Sequence, residues 1–169
     1  SKYGGGEIYR YTWNGIEQSG IEDIYGISDY AHSTDENHAW TFIDIVRAQN
    51  VWVRNITAQH FGYSAVYVLR HDVKWLTVAD SQCLDPISEI SGSRRYSFYL
   101  EDGECTLFVN NYARKGRHDF VFGSQVPGPN AFVHCTADTA YDDTGPHHKW
   151  SVGGLFDLVT VNGNSINVQ

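Results

Sequence analysis

The sequence predicts an all-β fold in which the chain coils into a solenoid of parallel strands. A short residue pattern recurs along the chain, and no stretch shows the periodicity of a long amphipathic helix. Aromatic residues (14%) and 16 glycines among 169 residues also favour strands joined by many turns. In such a solenoid each turn of the chain, or rung, pairs with its neighbours, and the inward side chains stack into one continuous core.

The repeat defines a first set of strands. Four segments align, each with an aromatic residue followed by a branched aliphatic residue: 51–55, 74–78, 107–111 and 131–135. The alignment predicts one column of Trp52, Trp75, Phe108 and Phe132, and beside it a column of Val53, Leu76, Val109 and Val133. Residues 21–24 are interpreted as an earlier copy, and Asn55, Asn110 and Asn111 are expected at tight turns.

A second set of strands is predicted between the first, at residues 39–45, 64–68, 96–100, 119–122 and 151–155. Their alternation places one group of apolar residues on a common face: Val66, Val68, Phe98, Leu100, Phe120 and Phe122. Tyr67, Tyr99 and Val121 then form a column on the opposite, outward face. An antiparallel sandwich or jelly roll is the alternative fold, but such folds lack a column of one residue type that repeats across the chain.

Several segments carry a resemblance to a known group of proteins. Residues 51–57 resemble the rung pattern of right-handed parallel β-helices of the pectate-lyase-like superfamily. Residues 116–120, 127–130 and 145–150 are similar to segments of uncharacterised secreted β-helix proteins of that superfamily. The resemblance covers residues 15–163 and leaves residues 1–14 as a lead-in. It implies a single-stranded right-handed parallel β-helix, a secreted or extracellular protein, and a carbohydrate-active function.

The resemblance also bears on the size of the domain. We expect residues 1–169 to form one β-helix domain of about five rungs. That number is small for the superfamily, which leaves open that the domain is part of a larger protein. Function is the weaker part of the expectation, because one fold hosts many chemistries.

Charge and composition exclude some classes of function. The formal net charge of −8 argues against general binding to nucleic acid, and no apolar run is long enough to span a membrane. The cysteines at 83, 105 and 135 have no zinc-site spacing, so we interpret them as core residues without a disulfide framework. Asn55 begins an Asn-Ile-Thr acceptor site, which predicts N-glycosylation.

Basic residues gather just before the second-set strands: Arg94, Arg95, Arg114, Lys115, Arg117 and Lys149, joined by His38, His118, His147 and His148. Rungs stacked about 4.8 Å apart would align them into one basic ridge. We interpret the ridge as a groove for an acidic polysaccharide, because guanidinium groups match uronate carboxylates. The alternative is a solvated loop edge in which these cations pair with Asp35, Glu36, Asp142 and Asp143.

The groove suggests cleavage by β-elimination, which needs a cation to neutralise the uronate carboxylate, a base, and an acid for the leaving oxygen. The candidate catalytic pairs of neutraliser and base are Arg117 with His118, and Lys149 with His148. Tyr67 or Tyr99 is the candidate acid, or else a sugar-stacking platform. The candidate substrate contacts are Arg94, Arg95, Tyr67, Tyr99 and His38. Neighbouring strand residues face opposite sides, so His118 and Asp119 are not both expected to face the substrate.

Two other functions stay open. One is a non-catalytic glycan-binding or structural β-helix module of a cell-surface, viral or extracellular assembly, with open rung edges that favour self-assembly. The other is a glycoside hydrolase, with carboxylates from Asp119, Glu101 and Asp102, or from Asp142 and Asp143. No cofactor is firmly indicated. Calcium is the candidate metal, with Asp142 and Asp143 as weak candidate ligands.

Overall fold

A computed structural model of the chain describes Gly6 and residues 8–69 and 72–168. The predicted lead-in therefore falls partly outside the described residues. Within them the regular structure is all β-strand, and no helix of a length and apolarity to cross a membrane occurs there. The described strands are β1 (Ile16–Glu17), β2 (Gly20–Glu22), β3 (Tyr25–Ile27), β4 (Thr41–Ile45), β5 (Ala48–Arg54), β6 (Thr57–Gln59), β7 (Ser64–Val68), β8 (Lys74–Ala79), β9 (Gln82–Leu84), β10 (Tyr96–Leu100), β11 (Thr106–Val109), β12 (Tyr112–Arg114), β13 (His118–Phe122), β14 (Asn130–Val133), β15 (Thr136–Asp138), β16 (Gly145–Pro146), β17 (Gly154–Asp157) and β18 (Thr160–Val161).

These strands form three sheets in which the neighbouring strands are parallel. The first sheet is seven-stranded (β1, β2, β5, β8, β11, β14, β17), the second five-stranded (β4, β7, β10, β13, β16), and the third six-stranded (β3, β6, β9, β12, β15, β18). From β4 onward the chain visits the second, first and third sheets in that order and then begins again. The all-β class and the arrangement of stacked parallel turns are therefore confirmed.

The two predicted sets of strands correspond to the first and second sheets, and β7 and β10 match residues 64–68 and 96–100. The third sheet was not predicted, because its strands are at most three residues long and show no extended alternation. The placement of residues 151–155 in the second set was wrong. That segment leads into β17, which pairs with β14 in the first sheet, while β16 takes the place beside β13.

The predicted aromatic column was also wrong in its register. Trp52 pairs with Thr77, and Trp52 and Trp75 are 39% and 53% exposed. The inward column of the first sheet consists instead of Val53, Val78, Phe108, Phe132 and Phe156. The alignment by residue type matched Trp52 to Phe108, one position away from the true register, and a shift of one residue exchanges the two faces of a strand.

The core combines large side chains from two sheets with small ones from the third. The apolar face predicted for the second set is confirmed, and Phe98 stacks on Phe120 with ring centroids 5.7 Å apart. Phe122 meets Phe132 of the first sheet at 4.9 Å. The inward positions of the third sheet hold Gly26, Ala58, Cys83, Ala113 and Ala137. A side chain at position 26 would approach the Phe42 ring to 2.3 Å, so this corner of the core has room only for small residues.

The connection from the first sheet to the third is a corner of constant form. It comprises residues 23–24, 55–56, 80–81, 110–111, 134–135 and 158–159. The first residue of each corner has a positive φ between 50° and 59°, a conformation that Asn and Asp tolerate best among residues with a side chain. In the first five corners its N–H donates to a carbonyl of the next turn, as Asn55 does to Ala79 at 3.1 Å. The turns predicted at Asn55 and Asn110 are thereby confirmed.

Asn111 lies inside its corner and is buried. Its amide donates to the Val78 carbonyl at 3.0 Å and accepts from the Ser81 N–H at 3.0 Å. These bonds satisfy backbone groups of the preceding turn that would otherwise be buried without partners. Asn111 therefore ties two turns together.

The cysteine prediction is confirmed in part. All three cysteines are free thiols, and Cys83 and Cys135 are buried in the core. Burial raises the pKa of Cys83 to about 12, so this thiol is unreactive at neutral pH. Cys105 was wrongly assigned to the core, because it lies exposed just before β11.

Phe132 occupies the centre of the aromatic core, so its truncation to alanine should leave a cavity. We expect Phe132→Ala to lower the free energy of unfolding by about 3–5 kcal/mol. Leu155→Ala is the matched control, because Leu155 lies on the next strand and is 53% exposed. Urea denaturation followed by circular dichroism measures both. A loss below about 1 kcal/mol in Phe132→Ala would contradict the core described above.

Candidate functional site

Aromatic side chains cover the outer face of the second sheet. Tyr67, Tyr99 and Val121 lie side by side on β7, β10 and β13, as the alternation predicted. The Tyr67 and Tyr99 rings are stacked, with centroids 5.1 Å apart and planes 7° from parallel. Tyr63 and Tyr96 pack against them, which leaves Tyr96 and Tyr99 buried. Because Tyr67 and Tyr99 stack on each other, this pair presents ring edges and hydroxyls to a ligand more than ring faces.

The Tyr67 hydroxyl donates to the carboxylate of Glu101. Burial and this hydrogen bond raise the pKa of Tyr67, so the phenol is protonated at neutral pH. Tyr67 therefore keeps the proton that the predicted acid role requires. Glu101 holds its hydroxyl in place.

A histidine cluster adjoins the tyrosines at the start of β13. His118 is only 2% exposed, and its ring centroid lies 5.1 Å from that of Tyr96. Its Nδ1 is 2.6 Å from the carbonyl oxygen of Asp143. A carbonyl can only accept, so Nδ1 carries the ring proton and Nε2 keeps a lone pair. Nε2 is buried and makes no hydrogen bond with the described residues.

His147 follows β16 and packs on His118, with ring centroids 4.3 Å apart. Its Nε2 lies 3.3 Å from the Tyr96 hydroxyl. Burial lowers the pKa of His118, and burial together with the neighbouring imidazoles lowers that of His147 to about 4. Both rings are therefore neutral at pH 7.

Two carboxylates and a guanidinium complete the cluster. Asp142 Oδ2 lies 3.1 Å from Arg117 Nη2 and 3.7 Å from His118 Nε2. Asp143 Oδ1 lies 3.0 Å from His118 Nδ1, and its Oδ2 accepts from the Asn167 amide at 2.8 Å. Arg117 is mostly buried, and its Nη1 makes no hydrogen bond with the described residues. We call the following six residues the outer-face cluster: Tyr96, Arg117, His118, Asp142, Asp143 and His147.

Most other cations of the predicted ridge are paired within the protein. Arg94 forms a two-pronged contact with Glu36 at 2.6 and 2.9 Å. Arg114 and Lys115 both contact Asp85. These pairs agree with the alternative interpretation of a solvated loop edge, in which acidic neighbours neutralise the cations. Exposed ion pairs of this kind add little stability. Asp35 differs from that interpretation, because it accepts backbone N–H groups at positions 31 and 37.

Arg95 and His38 are held inside their loops. Arg95 is 6% exposed, and its guanidinium donates to the Ser88 carbonyl at 2.5 Å and to the Ser88 hydroxyl at 3.3 Å. His38 contacts the Ser28 hydroxyl and the Ile87 carbonyl, both at 2.8 Å. Their positions therefore give no support to a role in substrate contact, which stays a prediction.

His148 and Lys149 are the exposed members of the predicted catalytic set. The His148 ring lies 4.1 Å from that of His147, and its backbone φ of 81° is unusual for a residue with a side chain. The Lys149 carbonyl accepts from the Gln125 N–H at 2.9 Å, which fastens this loop to the preceding turn. Asn55, the predicted glycosylation site, is exposed and donates to the Asp23 carboxylate at 2.7 Å. Glycosylation there stays a prediction.

Asp119 lies on the opposite side of the strand from His118, as expected for neighbouring residues. Its side chain is fully buried, and Oδ1 accepts from the Ser97 hydroxyl at 2.5 Å. Oδ2 makes no hydrogen bond with any described residue. Burial raises the pKa of Asp119 to about 7. Since this carboxyl is sealed from solvent, the geometry does not support its pairing with Glu101 and Asp102 in a hydrolase site.

Sequence reasoning missed the central positions of His147 and Tyr96. The doublet of His147 and His148 was visible, but only the structure shows that the first ring turns inward and the second outward. Tyr96 was read as part of a strand, and its contact with His147 spans two turns. No family model matches the chain, and neither the curated proteins nor the solved structures contain a significant match.

The raised pKa of Asp119 predicts a pH-dependent stability. In the unfolded chain this carboxyl ionises near its ordinary value of 3.8, whereas in the folded protein it ionises near 7. The folded state therefore holds an extra proton between these values, and stability falls as pH rises from about 4 to 7. The difference of about three pKa units corresponds to about 4 kcal/mol.

Asp119→Asn removes the titrating group, so the stability of the variant should not show this decline as pH rises from about 4 to 7. The measurement is urea denaturation at several pH values with wild type and variant compared at each. Asp29→Asn, at an exposed position, is the control and should follow the wild type. Identical pH profiles for wild type and Asp119→Asn would contradict the prediction.

Proposed function

We propose that this protein is a secreted, right-handed, single-stranded parallel β-helix of the pectate-lyase-like superfamily with about five rungs. We further propose that it binds an acidic, uronate-containing polysaccharide on the outer face of the second sheet and cleaves it by β-elimination. The stacked parallel turns and the repeat in the sequence support the fold. The outer-face cluster and the exposed loop beside it support the function.

One observation carries the proposal: the exposed imidazole of His148 lies beside the outer-face cluster, with its ring 4.1 Å from that of His147. A candidate base is thereby held next in sequence to Lys149, an exposed cation. His118 is too deeply buried to touch a polysaccharide, so the base role moves to His148, the second candidate in the sequence.

The proposed roles follow from the chemistry. Arg117 and Lys149 neutralise the uronate carboxylate and so acidify the neighbouring C–H bond. His148 takes that proton, the electron pair forms a carbon–carbon double bond, and the glycosidic C–O bond breaks. A water molecule gives a proton to the leaving oxygen. The hydroxide left behind takes the proton from His148 and restores the starting state.

The non-catalytic module is the second candidate function. The pairing of Arg94, Arg114 and Lys115 with acidic neighbours favours it, because such cations are not free to bind a polyanion. The mutual stacking of Tyr67 and Tyr99 favours it as well, since an enzyme that stacks sugars needs open ring faces.

The test is an ultraviolet assay for the conjugated double bond, with pectate, alginate, glycosaminoglycans and ulvan as substrates. We expect the wild type to raise the absorbance on one of them. His148→Ala should lower kcat by about 10²–10⁴-fold, the usual contribution of general acid–base catalysis. His32→Ala, an exposed histidine outside the cluster, is the control and should retain the wild-type rate.

Absence of any absorbance change, with reducing ends also constant, would remove the elimination proposal for these polymers. Retained binding in that case, measured by affinity electrophoresis, would support the non-catalytic module. Full activity in His148→Ala would show that the base lies elsewhere.

A further inference from the structure

A cavity near the start of the first-sheet strands is built largely from aromatic side chains and shares no residue with the outer-face cluster. Its volume is about 470 Å³, within the range of small-molecule sites, and four aromatic residues line it: Tyr9, Tyr11, Trp13 and Trp75. Tyr9, Tyr11 and Trp75 are 78%, 55% and 53% exposed, so their rings are not part of the core. Large aromatic side chains that converge on one open cavity, instead of being scattered singly, indicate a binding surface.

Three of the four aromatic residues come from the segment before β1, which the sequence analysis interpreted as a lead-in. Tyr9, Tyr11 and Trp13 occupy alternate positions and line the same cavity. The Tyr11 hydroxyl donates to Asp72 Oδ2 at 2.9 Å, and Asp72 also belongs to the lining. This bond fastens the segment to the residues just before β8, so both parts of the wall are joined.

The aromatic residues of this cavity cover one another less than those of the second sheet do. The Tyr11 and Trp13 rings meet edge to face, with centroids 6.4 Å apart and planes at 66°. Such a contact covers a face of one ring only, whereas the parallel stack of Tyr67 and Tyr99 covers a face of each. Aromatic faces carry partial negative charge, which attracts the polarised C–H bonds on the flat side of a sugar ring. The cavity therefore suits a sugar ring better than the tyrosine pair does.

Polar groups lie among the aromatic rings. Gln49 and Asp72 both line the cavity, and the Gln49 amide is held by the Glu17 carboxylate at 2.6 Å. The Asp72 carboxylate accepts from Tyr11 through one oxygen and has further acceptor positions, because an ionised carboxylate offers about four. Sugar hydroxyls can donate to such an acceptor while the ring packs on an aromatic face.

The charges around the cavity balance, which favours a neutral ligand. Lys74 lines the cavity and its Nζ lies 2.5 Å from Glu104 Oε1. Arg47, Lys74 and Asp72 all lie close enough to the Tyr11 hydroxyl to act on it electrostatically. A cationic ligand would therefore meet two basic side chains, and an anionic ligand would meet two carboxylates.

We propose that this cavity binds a neutral saccharide, with a sugar ring packed on Trp75 and the neighbouring tyrosines and a sugar hydroxyl donating to Asp72. The proposal does not depend on the cleavage proposed for the outer face of the second sheet, because it involves other residues and a ligand of different charge.

The test is a calorimetric titration of the full chain with neutral oligosaccharides of glucose, mannose, xylose and N-acetylglucosamine, followed in parallel by tryptophan fluorescence. We expect saturable binding of at least one of them. Trp75→Ala should lower the affinity at least about tenfold, a typical effect of truncating a central aromatic contact. Asp72→Asn should also weaken binding. Trp75 and Asp72 are exposed, so both variants are expected to fold.

Trp150→Ala is the matched control for the indole. Trp150 is 73% exposed and does not line this cavity in the described structure, so the variant should bind as the wild type does. Asp29→Asn, at an exposed position outside the cavity, is the control for the carboxylate.

The proposal is overturned if none of these oligosaccharides binds, if Trp75→Ala binds like the wild type, or if Trp150→Ala loses as much affinity as Trp75→Ala. Tighter binding of tetramethylammonium or of oligogalacturonate, lost in Trp75→Ala, would also overturn it and assign the cavity to a charged ligand. Neutral-sugar binding that persists beside a negative elimination assay would refute the proposed cleavage and support this site.

Discussion

The register between successive turns is the constraint on which the rest of the structure depends. Each strand must place its inward side chain over the inward side chain of the turn before it, because a slip of one residue would turn the core outward. The corner between the first and third sheets holds this register. At Asn55, Asp80 and Asn110 the same left-handed backbone conformation recurs, and each N–H bonds to the next turn. Core, sheets and cluster all follow from that repeat.

The cluster on the outer face is a by-product of the same stacking. Parallel turns bring positions distant in sequence into columns, so Tyr96 meets His147 and His118 meets Asp143 without any local motif. On the core side of the same strand, β13, a polar side chain is buried instead of exposed to a ligand. The Asp119 side chain is fully buried and accepts a hydrogen bond from the Ser97 hydroxyl, and this burial costs stability once the carboxyl ionises.

Much of the fold could be predicted from the sequence, because hydrophobic alternation over five-residue strands such as β7 and β10 is a strong signal. The third sheet could not, since strands of three residues with an inward alanine carry almost no pattern. The error at Trp52 has another origin. Residue type suggested that aromatic residues align with one another, whereas pairing across turns sets the register, and it aligns Val78 with Phe108.

The site was predicted only in outline. Arg117 and His118 were identified from a cluster of basic residues, but sequence spacing cannot show which way a ring turns from a loop. His147 and His148 illustrate this, because neighbouring and identical side chains have different surroundings. The pairing of Arg94 with Glu36, which joins residues from two different turns, agrees with the alternative interpretation that named Glu36 as a partner of the basic residues.

The constant corner has a consequence for how such a chain can change. The segments between the third and second sheets differ in length, as residues 85–95 and 115–117 show, whereas the corners at 55–56, 80–81 and 110–111 do not. Insertions and deletions are therefore tolerated between the third and second sheets and resisted at the corner between the first and third sheets. The corner keeps the spacing of the turns constant, while the loops between the third and second sheets vary in length. New binding surfaces can arise on these loops while the spacing of the turns stays the same.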